Sequence, residues 1–142
     1  MAPHGYTRNE TKDYVCFYGM YANTSVYMIK CRDPSVSDVY VGHTVDIAKR
    51  ALQHEKCAKT SDRKVYAFIR EHGGWDNWYM EVLDTVRCND RGHAHLEELY
   101  WYKKLKPKLN AITPGIYYYN RTIRNHRLYT KREDVINRIN GI

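Results

Sequence analysis

Hydrophobic and polar positions change their period several times between residues 24 and 106. Thr24 to Cys31 (Thr-Ser-Val-Tyr-Met-Ile-Lys-Cys) is rich in β-branched and aromatic residues, which predicts a strand. Asp33-Pro34-Ser35-Val36-Ser37-Asp38 breaks it with a turn or short loop. Val39 to Gly42 predicts a second short strand that ends at the glycine and pairs with the first as a hairpin. Over 45–58 the period lengthens. Val45, Ala48 and Leu52 fall at i, i+3 and i+7, which predicts a helix burying that stripe and turning Arg50, His54 and Cys57 to a different face. Lys64 to His72 predicts a short helix stopped by Gly73-Gly74, and Trp78 to Val86 a third strand. Asp90 suits the N-cap of a further helix that runs to about Lys106 and stops at Pro107.

Length and composition narrow the class. The 142 residues fit one domain with a self-sufficient core. Its 14 tyrosines against 2 phenylalanines suit wet surfaces, because a tyrosine packs its ring and keeps a polar tip. A net charge of +7 points toward a polyanion partner. No C-x-x-C pair occurs among Cys16, Cys31, Cys57 and Cys88, and the polar start Met1 to Lys12 does not read as a secretory leader. Free thiols in a reducing, intracellular setting (cytoplasm or nucleus) are therefore expected. The apolar runs fall far short of the roughly 18 residues needed to span a bilayer, so no membrane association is expected.

Character changes after Asn110. Residues 113–142 hold Arg121, Arg124, Arg127, Lys131, Arg132 and Arg138 against Glu133 and Asp134, a net of +4, together with Tyr117, Tyr118 and Tyr119. Two readings stand side by side: a nucleic-acid-binding arm with stacking aromatics, or a terminal helix that packs its tyrosines on the core. The organisation expected is an N-terminal extension over 1–22, a domain over 23–112 and a basic, Tyr-rich C-terminal arm over 113–142.

Five residues carry candidate chemistry: Tyr27 and Tyr40 from adjacent strands, Arg50 and His54 one helical turn apart, and Glu98. Helical spacing favours Glu98 over Glu97. Glu98 shares a face with Trp101, Tyr102 and Leu105, where a carboxylate is costly without a partner, whereas Glu97 shares a face with His93, Tyr100 and Lys104 and reads as solvated. Taken singly, each residue reads as an ordinary strand tyrosine, polar helix face or lysine partner. Their combination is what phosphodiester cleavage calls for.

Ser25-Val26-Tyr27, Tyr40-Val41-Gly42, Arg50, His54 and the segment Glu98 to Asn110, with its Lys-Pro-x-Leu-Asn ending, resemble the GIY-YIG nuclease superfamily. The spacings agree: ten residues from Tyr40 to Arg50, four from Arg50 to His54, twelve from Glu98 to Asn110. Gly-Ile of the first motif is replaced by Ser25-Val26, while both tyrosines remain. A literal Gly115-Ile116-Tyr117 lacks a following Tyr-x-Gly and is set aside. The resemblance implies a small α/β (α+β) domain, a three-stranded antiparallel sheet flanked by helices. It also implies metal-assisted hydrolysis of double-stranded DNA to 5′-phosphate and 3′-hydroxyl ends, with Mg2+ (or Mn2+ in its place) bound by Glu98. Tyr27 would be the general base, helped by His54. Arg50 would stabilise charge on the phosphate, Tyr40 would position phosphate or water, and Asn110 would hold the scissile group or the metal-side network.

Lys59, Arg63 and Lys64 follow the candidate helix and are expected to touch DNA phosphates, as are Tyr117, Arg121, Arg124 and Arg127 of the tail. So short a chain suits a compact enzyme reading DNA with its own core and arms, as a monomer or a homodimer. A non-catalytic nucleic-acid-binding module on the same fold is the alternative. Structural zinc is disfavoured, since Cys88, His93 and His95, or His54 with Cys57, match no standard spacing.

Overall fold

The computed structural model describes residues 19–124 and 132–141; Arg127 and most of the N-terminal extension lie outside them. Strands β1 (Thr24–Cys31), β2 (Val39–Thr44) and β3 (Trp78–Val86) form one antiparallel sheet in the order β2-β1-β3. Between β2 and β3 come α1 (Ile47–Thr60), α2 (Lys64–Glu71) and a 3-10 turn (Trp75–Asn77). After β3 follow α3 (Arg91–Leu105), α4 (Ile116–Arg124) and α5 (Glu133–Ile139). The α+β architecture is the one expected.

β2 runs two residues past Gly42, so His43 and Thr44 belong to it. Thr44 then sets the phase of α1: its hydroxyl accepts from the Asp46 N–H at 3.1 Å and donates to the Asp46 carbonyl at 3.1 Å. Asp46 caps the helix by accepting from the Lys49 N–H at 3.0 Å. The phase that results corrects the expected stripe. Leu52 is 66% exposed, and the residues α1 buries are His54 and Ala58. A hydrogen-bonded histidine takes the core position that a purely apolar pattern gave to Leu52.

The main core holds Tyr27, Ile29 and Cys31 of β1 against Ala58, Val65, Tyr66, Ile69, Trp78 and Leu109. Each large apolar side chain sealed there contributes about 1.5–3 kcal/mol. A second cluster sits on α3, where Leu96 and Leu99 meet Val135 and Ile136 of α5, with Tyr118 and Tyr119 of α4 alongside. Helix α3 therefore separates two packed regions and is buried on several sides. Its N-cap is Asp90, which accepts from the His93 N–H at 2.8 Å. At its other end Lys106 adopts the left-handed conformation, φ 49°, and turns the chain toward Pro107 and Leu109. The residues just before β1 are also part of the body: Tyr21 packs with Cys88 and Ala94, and its carbonyl accepts from the Cys88 N–H at 2.9 Å. Cys31, Cys57 and Cys88 are free thiols. No helix of the described residues is long and apolar enough to cross a membrane.

Candidate active site

The register of the sheet sets Tyr27 opposite Gly42 and Ile29 opposite Tyr40. Gly42 has no side chain to place there, and a Cβ would stand 2.6 Å from the Tyr27 hydroxyl. The hydroxyl fills that space and meets His54 Nε2 at 2.7 Å. His54 Nδ1 lies 2.9 Å from the Tyr66 hydroxyl on α2. Trp75 stacks on the imidazole at 6.1 Å, and the Tyr40 ring meets it edge-on at 5.8 Å. His54 is 2% exposed, and burial, then the nearby Arg50 charge, push its pKa down to about 4. It is thus neutral near pH 7, with one N–H. With that proton on Nδ1, His54 donates to Tyr66 and its Nε2 accepts from Tyr27. Burial pushes the Tyr27 phenol well above its usual value, Tyr40 adds to the rise, and Arg50 opposes it. Burial also raises Tyr66, to about 12, with Cys57 adding to it.

Two cavities, of about 610 and 380 Å³, share Tyr40, His95 and Glu98 in their walls. The smaller is also lined by Gly42, His43, Arg50 and Arg91, the larger by Arg63, Lys64, Asn110 and Tyr117. Tyr27 is fully buried, so Tyr40 faces the cavities and Tyr27 stands behind Gly42. Arg50 projects from α1 into the smaller cavity, and its guanidinium has no hydrogen-bond or ion-pair partner among the described residues. Tyr40 is raised by burial first and Glu98 second, with Arg50 opposing, which brings phenol, carboxylate and guanidinium into one electrostatic unit.

Glu98 is 7% exposed. Its Oε2 accepts from His43 Nδ1 at 3.2 Å and lies 3.9 Å from His95 Nδ1. Donor atoms of His43, His95 and Glu98 all lie within 4.8 Å of one another. Among the described residues this carboxylate has imidazoles, and no lysine or arginine, as ion-pair partners. A buried carboxylate short of fixed cationic partners, beside two nitrogen donors, fits a divalent cation. Burial, then His43, then Arg91 push His95 down to about 4, so its ring is neutral.

The expectation for Glu97 is overturned. It is 1% exposed, more deeply buried than Glu98, and pairs with Arg138 of α5 and with His93 at 3.4 Å. Helix α5 covers the face that a lone helix would leave in water. Burial raises the Glu97 pKa, but the His93 hydrogen bond and Arg138 outweigh it and leave it below the usual carboxylate value.

Asn110 also differs from expectation. Its Oδ1 accepts from the Val41 N–H and its Nδ2 donates to the Val41 carbonyl, both at 2.9 Å, while the Leu109 N–H donates to the Val39 carbonyl at 3.1 Å. The Leu-Asn pair thus completes the open edge of β2, and the amide is engaged with backbone instead of a scissile group. Asn110 is a positioning residue that holds β2, and with it Tyr40 and Gly42, in register.

Lys59, Arg63 and Lys64 are exposed, and the last two line the larger cavity. Tyr117 is 60% exposed on the same cavity, and Arg121 donates to its hydroxyl at 2.7 Å. Arg124 is exposed at the end of α4. Of the two readings of the tail, packing on the core holds for Tyr118 and Tyr119, which join the α3 cluster, while Tyr117, Arg121 and Arg124 are exposed. Gly115, set aside as a motif, has φ 69°, and a Cβ on it would come within 2.4 Å of the His95 carbonyl. It lets α4 approach α3.

Sequence reasoning missed Tyr66, His43 and His95 as members of the site. His95 carried a signal, since it precedes Glu98 by three residues on one helix. For Tyr66 and His43 there was none, because only the fold sets them beside His54 and Glu98.

The architecture and the polar centre between sheet and α3 define a small α+β domain built around a buried tyrosine–histidine pair and a cation-ready carboxylate. A family model of the GIY-YIG catalytic domain matches residues 23–110. The chain belongs to the GIY-YIG nuclease superfamily. No match was found among curated proteins or among solved structures.

Proposed function

We propose that this chain is a divalent-metal-dependent DNA endonuclease that hydrolyses phosphodiesters of double-stranded DNA to 5′-phosphate and 3′-hydroxyl ends. The observation that carries the reading is the grouping of Tyr40, Arg50 and Glu98 around one cavity with the Tyr27–His54 hydrogen bond directly behind Gly42. The charge of +7 and the basic rim of Arg63 and Lys64 support a polyanionic substrate.

In this mechanism water attacks phosphorus while the bond from phosphorus to the 3′-oxygen breaks. Tyr27 lines neither cavity, so the attacking water must enter past Gly42 to reach its hydroxyl; Tyr27 then takes the water proton as its own phenolic proton passes to His54 Nε2. An unperturbed tyrosine has a pKa of about 10 and a buried one higher, so a concerted transfer to His54 replaces free ionisation. Tyr66 holds His54 in the tautomer that leaves Nε2 free to accept. Arg50 offers its guanidinium to the phosphate oxygens, where negative charge grows. Tyr40 positions the phosphate. A divalent cation at Glu98 would supply Lewis-acid stabilisation of the leaving 3′-oxygen, which then takes a proton from solvent.

The rival reading, a non-catalytic binding module, draws on the burial of Tyr27, which lines neither cavity; Tyr40, Arg50 and Glu98 at the cavity wall favour the endonuclease. Purified protein with supercoiled plasmid and Mg2+ or Mn2+ separates the two. Nicked or linear product, abolished in Glu98→Gln and Arg50→Ala, is the expected result. Binding without cleavage under every divalent metal tried would remove the endonuclease reading.

A further inference from the structure

His43 and His95 come from different elements, the end of β2 and the first turns of α3, yet their rings meet edge-on with centroids 4.6 Å apart. His95 is held in place by Tyr118, which stacks on it at 5.0 Å. Both rings present Nδ1 to the same oxygen of Glu98. The side chains of His43, His95 and Glu98 are 15%, 24% and 9% exposed, so the three donors lie in a partly dry corner whose open side is the smaller cavity.

A site built for Mg2+ presents one or two carboxylates and leaves the rest of the shell to water and phosphate. Imidazole nitrogen suits the borderline first-row ions instead, and two imidazoles with one carboxylate make a three-donor face that leaves coordination positions open. We propose that Glu98, His43 and His95 act together as one three-ligand site that selects a borderline divalent transition ion, of the Mn2+, Co2+ and Zn2+ class, over Mg2+. The inference deepens the endonuclease reading, on which its role in catalysis rests.

Each imidazole then turns the lone pair of Nδ1 toward the ion and carries its proton on Nε2. For His95 this displaces the Arg91 Nε–H that donates to Nε2 at 3.4 Å. Arg91 is an exposed residue, so its side chain can turn away at small cost. Arg50 and Tyr40 line the same cavity as the three donors, so a phosphate bound there would lie beside the site.

The test is titration calorimetry on metal-stripped full-length protein, with Co2+ and Mg2+ as the probes. Co2+ is expected to bind at least about 100-fold more tightly than Mg2+. His43→Ala and His95→Ala should each weaken Co2+ roughly 10- to 100-fold while changing Mg2+ little, and Glu98→Gln should weaken both. Because these variants could disturb packing, the unmutated protein supplies a second readout: with Co2+ bound, the ring N–H protons of His43 and His95 should appear as strongly contact-shifted, exchangeable signals in the NMR spectrum, which a through-space effect alone does not give. Co2+ binding indifferent to both histidines, or the absence of such shifted ring N–H signals, overturns the proposal. If plasmid is still cut in that case, the nuclease reading stands without it. Histidine-dependent Co2+ binding with no cleavage under any metal would uphold the site and remove the nuclease reading.

Discussion

Glu97 and Glu98 are neighbours on α3, both buried, and they serve opposite regions. Glu97 faces the C-terminal helices, where Arg138 pairs with it and His93 lies 3.4 Å away. Glu98 faces the cavities, where its partners are imidazoles and its wall is shared with Tyr40 and Arg50. The docking side sets a fixed guanidinium on its carboxylate; the cavity side sets only imidazoles beside Glu98. Burial alone therefore does not single out the carboxylate proposed to act. What distinguishes it is which partners are supplied and which are withheld.

Neutralising each carboxylate in turn puts this contrast to its hardest test. Glu98→Gln should lower cleavage on the order of 10³-fold with little change in unfolding free energy. Glu97→Gln should leave kcat within a few-fold but lower stability by about 1–3 kcal/mol, since it weakens a buried, charge-assisted hydrogen-bond set. Plasmid cleavage and urea unfolding on both variants check the pair, and a reversal of the two patterns would exchange the roles assigned here.

Next in size are changes on the active side that leave Glu98 alone. Gly42→Ala places a methyl 2.6 Å from the Tyr27 hydroxyl, so the phenol must leave His54. Cleavage should fall roughly 100-fold, within the range that removal of a general base produces. Tyr66→Phe removes the partner of His54 Nδ1 but leaves the Tyr27 hydrogen bond, and a smaller fall of about 10-fold is expected. Single-turnover rates at saturating DNA separate these from binding effects.

Acid distinguishes the two regions by window. The folded pKa of His54, about 4, lies below its unfolded value of about 6.5. The unfolded chain therefore binds the proton first, and stability falls as pH drops from 6.5 toward 4, on the order of 3 kcal/mol from this group. His95, pushed to about 4 as well, adds a loss of the same sign. Glu97, held below the usual carboxylate value, keeps its contribution until pH falls further, through its folded pKa. Unfolding midpoints against pH should show the first window flattened in His54→Gln and the second in Glu97→Gln.

Changes at the basic rim should be milder still. Arg63→Ala with Lys64→Ala should reduce the slope of log affinity against log salt by about 1 for each phosphate that is no longer neutralised. Arg124→Ala on α4 tests the outward face of the tail in the same assay. Removing residues 113–142 outright is the poorer experiment, because it would uncover Leu96 and Leu99.

Much of the molecule was legible before folding. The bounds of β1 and β3, the Asp90 cap and the family motif follow from local pattern: period-two apolar runs, a capping carboxylate, and tyrosines, arginine and histidine at fixed spacing. The inward face of α1 was not legible, because His54 becomes a core residue only when Tyr27 and Tyr66 supply its hydrogen bonds from 27 and 12 positions away. Nor was the state of Glu97, which depends on a helix 41 residues further on. The order of residues was enough for the elements and for the inventory of reactive groups, since those depend on neighbours within a turn or a strand. Folding settled which charges are neutralised and which are left facing a cavity, because burial and pairing belong to residues that meet only when the sheet, α3 and the C-terminal helices close on one another.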